Sequence, residues 1–509
     1  MPETPAEMSS SSKAKRRWLK ALLVTGLLLV ALGGGAWVAI DLLGKALWRE
    51  HPSELEAAGF SVDPSLAFTP AVEGTFWADP FVRGMTDGEI PGLRERFEEL
   101  LKSDPHHDPM AVVRNVETVR RSSLSRGESF EVFDAELGLD PKESAERVMA
   151  IMRELDEDVD RFRDALRLAP SSPFPNLSVF DADIEFPAAV AVDPLRLLSL
   201  RARCLLKLGH LREALDDIED AFRLHRHLEA DPVLIDCLII SASTSSLLRV
   251  VWDGLERGLW DTTSLETLDR LFVERIDEYH GFASVVRCEL CYTHAVRTRW
   301  FASGLPDEID GVPFDQPPQT FHRPDWLPEW RWIAASQDFL DGLAWRTLPP
   351  GALFAAFVDF DRWVVGTLLN PEIPLGERID SLEKILPENR IMGFRNPGFE
   401  FAFSSAYGFG AAFSRYEDAK ALLHLARAAV AAERFRLDTG GYPGAWEDFV
   451  PRWLGSVPAD PWSGGSLIYR LDEEGRPVIY SVGRNGIDND GVSKSRTEGD
   501  LVWRYSAVE

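Results

Sequence analysis

Four cysteines in 509 residues are too few for a disulfide framework. Basic residues are scarce as well: 55 Lys and Arg stand against 82 Asp and Glu, giving a formal net charge of -27. No long Lys/Arg run lies beyond the first twenty positions, which excludes a surface that tracks nucleic-acid phosphates. The chain also lacks a G-x-S-x-G elbow, a Walker-type loop with its Lys, an H-E-x-x-H pair and a G-x-G-x-x-G turn. The standard hydrolase, NTPase, zincin and dinucleotide-binding readings therefore fall away. What remains is 45% hydrophobic and 27% charged with 16 Trp, the composition of a folded protein of two or three domains.

The single long apolar run, Ala21 to Ile40, follows Lys13, Lys15, Arg16, Arg17 and Lys20. About twenty apolar residues in a helix cross roughly 30 Å of hydrocarbon. With the basic cluster before the run and acidic chain after it, the N-terminus is expected in the cytoplasm and the bulk outside, in a single-pass inner-membrane protein. Trp37 and Trp48 would then lie near one interface. The alternative is a signal peptide cleaved near Gly33 to Ala36, where small residues cluster.

Beyond residue 90 the apolar spacing becomes helical. Helices are expected over Gly92 to Lys102, Pro109 to Arg121, Pro141 to Leu168, Pro232 to Leu255, Thr263 to Tyr279, Gly281 to Phe301, Trp330 to Leu343, Gly351 to Leu369 and Ile379 to Leu386. Leu195 to Leu208 and Leu211 to Leu224, joined at Gly209, resemble a tetratricopeptide helical hairpin through Gly209, Leu211, Ala214, Ile218 and Ala221. No second copy follows at a constant period, so an ordinary αα-hairpin in an irregular bundle is an equal reading. Pro306 to Pro328 reads as a loop or crossover.

Polar candidates in this region are few. Cys288 and Cys291 form a lone C-x-x-C with His294 beyond, but Cys204 and Cys237 make no second ligand pair, so they read as core thiols on helices. Glu289 between them is expected to pair with Arg287 or Arg297. His106 and His107, between Asp104 and Asp108, read as a solvated loop with a metal site as the alternative.

The C-terminal fifth carries the most specific pattern. An Ala-rich helix, Glu417 to Leu437, runs into Asp438-Thr-Gly-Gly-Tyr-Pro443; a short helix follows at Trp446 to Leu454, then strands at Leu467 to Leu471 and Pro477 to Val482 around a turn at Asp472 to Gly475. Phe435 to Pro443, Pro458-Ala-Asp-Pro-Trp462, Leu467-Ile-Tyr469, Tyr480 to Gly486 and Gly499-Asp-Leu501 resemble, in that order, the globular domain of the major pseudopilins of type II secretion. The likeness covers roughly residues 415 to 504. The whole chain resembles membrane-anchored bacterial proteins that carry such an end.

The pseudopilin resemblance implies calcium in the final loop, tying the chain end to the sheet. The matching positions are Val482 through its carbonyl, Asn485 through its amide oxygen and Asp500 through its carboxylate; Asp488 and Asp490 add nearby oxygen donors. Asn485 stands where the pseudopilins have Asp, one negative charge fewer. An Asn/Asp/Gly turn without metal is the even alternative. The prepilin-peptidase signal of a pseudopilin is absent from residues 15 to 40, so processing into a fibre is not expected.

The expected fold is mainly α: a basic tail (1–20), a transmembrane anchor (21–43), a juxtamembrane segment (44–89), a large helical domain (90–412) with a Pro-rich insertion near 303–328, and a small α+β domain (413–509) of one long helix and a short antiparallel sheet. The functional expectation is a membrane-anchored, extracytoplasmic binding or scaffold protein of the bacterial envelope. It would meet the bilayer through residues 21–40 and envelope or secretion proteins elsewhere, without nucleic acid. The alternative is an envelope hydrolase with its site in the helical domain.

Overall fold

The computed structural model describes residues 5–60, 62, 72–102, 141–170, 189–303, 308–309, 312–313, 349–388, 390–391, 394–395, 397–493 and 498–504. The expected helices at Pro109 to Arg121 and Trp330 to Leu343, the pair His106 and His107, and most of the Pro-rich stretch lie outside them. The described chain is mainly helical, with a three-stranded antiparallel sheet near the C-terminus.

The helices are α1 (Pro5–Ala57), α2 (Pro80–Thr86), α3 (Leu93–Lys102), α4 (Pro141–Met152), α5 (Asp156–Leu166), α6 (Ala189–Leu208), α7 (Leu211–Leu228), α8 (Leu234–Glu256), α9 (Thr262–Glu278), α10 (Phe282–Ser303), α11 (Pro350–Trp363), α12 (Leu375–Glu388), α13 (Pro397–Thr439) and α14 (Trp446–Phe449). Two short hairpins pair β1 (Glu308–Ile309) with β2 (Val312–Pro313) and β3 (Arg390–Ile391) with β4 (Phe394–Arg395). The larger sheet has the order β5 (Ile468–Leu471), β6 (Pro477–Ser481), β7 (Leu501–Arg504).

The chain divides into two compact units: residues 1–59, 298–365 and 385–405 form one, and residues 60–297, 366–384 and 406–509 the other. In the first, α1 packs on α11. Trp48 meets Phe354 and Phe357 at ring-centroid distances of 5.5 and 6.2 Å, and Arg362 grips the Glu54 carboxylate with two hydrogen bonds of 2.7 and 3.0 Å. Buried between the same helices, His51 Nε2 lies 3.0 Å from the Asp361 carboxylate.

In the second unit the α6–α7 hairpin forms as its spacing predicts. Gly209 takes a φ of 82°, and the N–H groups of Gly209 and His210 bond back to Leu206 and Leu205, closing the end of α6. Ala214, Ile218 and Ala221 are fully buried against α6. Arg163 of α5 donates to Asp217 at 2.6 Å and Asp220 at 2.8 Å on α7, and Arg201 of α6 reaches Asp217 at 2.7 Å, so three helices share one ionic knot. The expected continuous helix from Pro141 to Leu168 is instead broken by a 3-10 turn at Arg153–Leu155.

In this unit α8 is long and apolar enough to cross a membrane. It is mostly buried in protein, and Asp236 and Asp253 lie on it, both buried, which is the pattern of a core helix. The Ala-rich part of α13 is buried all round as well: from Ala419 through Ala432 its alanines are within 1% of full burial. Small side chains let neighbouring helices approach from every side, and Arg427 and Arg434 bind Asp269 of α9 at 3.2 and 2.9 Å.

The sheet lies beyond the end of α13. Its inner face presents Tyr469, Ile479 and Trp503 in one cross-strand row. Tyr469 packs on Trp446 and Phe449 at 5.2 and 5.3 Å, and Ile479 and Trp503 are completely buried. Trp252 of α8 donates to the Arg504 carbonyl at 3.1 Å, joining the sheet to the helices of its unit.

Candidate functional site

The described polar residues singled out by their spacing lie in the second unit, at the final loop and beside a buried polar cluster. The first is the final loop, between β6 and β7. Asp500, 1% exposed, lies at its exit. Its carboxylate accepts the backbone N–H groups of Asn489 (3.1 and 3.2 Å) and Gly491 (2.7 Å), while its own N–H bonds to Val492 O at 2.9 Å. Burial, with Asp488 nearby, pushes this carboxyl above the ordinary range, and the N–H donors pull the other way.

Of the other expected calcium donors, Asp488 and Asn485 are also engaged with protein. Asp488 accepts from Tyr480 OH at 3.2 Å and from the Asp490 N–H at 2.9 Å. The Asn485 amide oxygen accepts from Ile487 N at 3.1 Å, and its nitrogen donates to Asn489 at 3.1 Å. Val482 is fixed through its N–H, which reaches Asp460 at 3.1 Å. Asp490, exposed and at a φ of 57°, turns the chain with Gly491. The loop thus brings the five positions to one end of the sheet, but Asp488, Asp490 and Asp500 do not form a group of three with ligand atoms within 4.8 Å of one another. A calcium ion needs six to eight oxygen ligands with free lone pairs. The Asp500 carboxylate already accepts from Asn489 and Gly491, and these N–H groups compete with an ion for its lone pairs.

The spacing does not single out Asp460, in Pro458-Ala-Asp-Pro-Trp462. Its buried carboxylate accepts from Ser481 Oγ (2.7 Å), Trp462 N (3.0 Å), Ser463 Oγ (3.1 Å) and Val482 N (3.1 Å). It pins the turn before β5 to the end of β6. Trp462 in turn donates to Asp418 of α13 at 3.2 Å. An acid between two prolines in a turn is the signal that could have marked it.

The second place is a buried polar cluster. Arg275 of α9 donates to both oxygens of Glu229, at 2.7 and 2.8 Å; Tyr416 OH of α13 adds a third bond to Glu229 at 3.0 Å, and Tyr279 OH donates to the Tyr416 carbonyl at 2.7 Å. The Arg275 guanidinium also lies 4.7 Å from the centre of the Tyr279 ring. Every member is buried. Nothing in the spacing marks Glu229 or Arg275, because they come together only through folding.

Beside this cluster Asp236 accepts the Val233 N–H at 3.0 Å and Glu289 the Leu234 N–H at 2.9 Å, so both acids cap the start of α8. Burial pushes both carboxyls upward; for Glu289 the charge of Arg297 opposes it. Cys288 is pushed up to about 12, first by burial and then by Asp231 and other negative neighbours, and burial drives Cys237 far above the usual thiol range. Neither thiol is a nucleophile near neutral pH. Cys291 packs on Val233, the structural role expected of a core thiol, and Cys288, Cys291 and His294 are not gathered as a ligand set.

These arrangements position and lock; they hold no activated nucleophile among the described residues. Compared with known protein families, curated proteins and solved structures, the chain matches none.

Proposed function

We propose that this protein is a membrane-anchored, extracytoplasmic binding or scaffold protein of the bacterial envelope, with a pseudopilin-like C-terminal region and no catalytic centre of its own. One observation carries the anchor. Helix α1 is continuous from Pro5 to Ala57, through the whole apolar run, and Leu32, Trp37, Val38, Ile40, Leu42 and Leu43 are exposed. At about 3.6 residues per turn those six fall on every side of the helix. A helix apolar all round belongs in a protein core or in lipid, and among the described residues 31–40 are all exposed.

The binding or scaffold part draws on the second unit. Buried polar groups in it join helices, as in the knot of Arg163, Arg201 and Asp217 and the lock of Arg275 and Glu229. Burial pushes its Cys237 and Cys288 thiols above the usual range. Such a body suits a rigid surface better than a reaction.

The test is fractionation of cells expressing the full chain, followed by alkaline extraction of the membranes and protease treatment from the outer side. The expected result is a chain that resists extraction, is cut from outside, and becomes soluble when residues 21–43 are deleted. A full chain released by alkali, or protected from protease added to spheroplasts, would sink the reading.

A further inference from the structure

Three charged features stand outside the functional reading: the Asp361–His51 pair, the thiols near Asp236, and the arginines over the final loop. The last carries an inference. The outer face of the sheet has two cross-strand rows, Ile468–Tyr480–Val502 and Arg470–Val478–Arg504. On this face Val478, Tyr480 and Val502 are buried, and the loop at residues 488–491 comes against it at Tyr480, whose OH donates to Asp488 at 3.2 Å. Something must hold the loop there.

The two arginines end the second row, one on each outer strand. Arg470 Nη2 donates to the Asp490 carbonyl at 2.7 Å, and Arg504 Nη2 donates to the Gly491 carbonyl. Gly491 permits the approach: a Cβ there would stand 3.3 Å from both the Arg504 guanidinium and the Tyr480 ring. Consecutive left-handed residues, Asp490 and Gly491, carry these carbonyls, and Asp488 and Asp500 add negative charge close by.

We propose that Arg470 and Arg504 do here what the pseudopilin resemblance assigns to calcium: two guanidinium groups bind the loop carbonyls, balance part of the acidic charge and fasten the loop to the sheet, so the C-terminal region folds without metal. A guanidinium donates fixed, charge-assisted hydrogen bonds to oxygen, and it carries the positive charge an ion would bring. Because the clamp belongs to the chain, it cannot be chelated away.

The experiment uses the full chain in detergent micelles and follows amide hydrogen exchange of residues 485–493, with excess chelator and with millimolar calcium, alongside calcium titration by calorimetry. The expected result is equal protection in both conditions and no heat of stoichiometric binding. Arg504→Gln and Arg470→Gln should each speed exchange in the loop about tenfold or more while the helices keep their protection. Arg470 is exposed on an outer strand, so its variant tests the clamp even if Arg504→Gln fails to fold. Calcium-dependent protection of the wild-type loop would overturn the proposal in favour of an ion, and unchanged exchange in Arg470→Gln would overturn it in favour of an idle contact.

Discussion

Arg275 and Glu229 face each other through two parallel hydrogen bonds of 2.7 and 2.8 Å, with 1% and 2% of their surfaces exposed. The pair joins α9 to the residue that closes α7, and Tyr416 brings in α13. An ion pair so far from water loses much of its Coulomb gain to desolvation, yet removing one partner strands the other.

Replacing Arg275 with Met should therefore cost about 3–5 kcal/mol, while the pair Glu229→Leu with Arg275→Met should recover most of that loss. Urea midpoints of the three proteins decide it. A double variant as weak as the single one would mean that the hydrogen bond from Tyr416, and not the stranded charge, governs this junction.

Glu417 gives the clearest dependence on pH. Burial pushes its carboxyl up to about 7 from an ordinary value of 4.5, and Lys420 opposes this only in part. An acid whose folded-state pKa is raised binds its proton more tightly in the fold. Its contribution is fully present below about 4.5 and is lost as pH rises through about 7. The variant Glu417→Gln, which cannot ionise, should gain on the wild type across that window, by up to about 3 kcal/mol at its upper end. Denaturation at several pH values from about 5 to about 8 measures the gap; a gap that does not grow with pH would remove Glu417 ionisation as a cause.

Asp460 should be among the most sensitive residues of the C-terminal region. Four donors converge on it, so Asp460→Asn turns an amide N–H₂ toward at least one of them and leaves buried groups unpaired. The expected loss is roughly 2–4 kcal/mol. It should appear as faster hydrogen exchange in β6 and in the turn before β5. If Asp460→Asn melts like the wild type, the turn is held by Trp462 packing instead.

Patterns that lie within a few residues of one another are legible in the sequence alone. Gly209 between two apolar, helically spaced runs predicts the α6–α7 turn, and the alternation at Leu467 to Leu471 and Pro477 to Val482 predicts β5 and β6. The third strand escapes such a reading: Leu501-Val-Trp-Arg504 is short and apolar almost throughout, without the alternation that marks a half-exposed edge. The break at Arg153–Leu155 escapes it too, because the apolar spacing runs on across the turn. In the final loop the cluster of oxygen donors is plain from the residues, but their partners are not. Asp500 meets the N–H groups of Asn489 and Gly491 only when β7 returns beside β6, and Arg470 becomes a neighbour of Asp490 only through strand pairing. Such relations have no local trace.

The crossing of α1 and α11 rests on two glycines. A Cβ added to Gly44 would fall on the Gly351 carbonyl, and one added to Gly351 would fall on the backbone of Asp41, whose carboxylate accepts the Gly351 N–H at 2.9 Å. Backbones this close allow no side chain between them, so Gly351→Val must drive the helices apart and loosen Trp48 from Phe354 and Phe357. Overpacking of this kind costs about 1–3 kcal/mol or more. A methyl group added at Gly33 would meet nothing within 4 Å, so Gly33→Ala should be silent and serves as the control. Limited proteolysis of α11 in the two variants separates them: rapid cleavage is expected for Gly351→Val alone, and equal resistance would mean that the crossing tolerates a wider spacing than its glycines require.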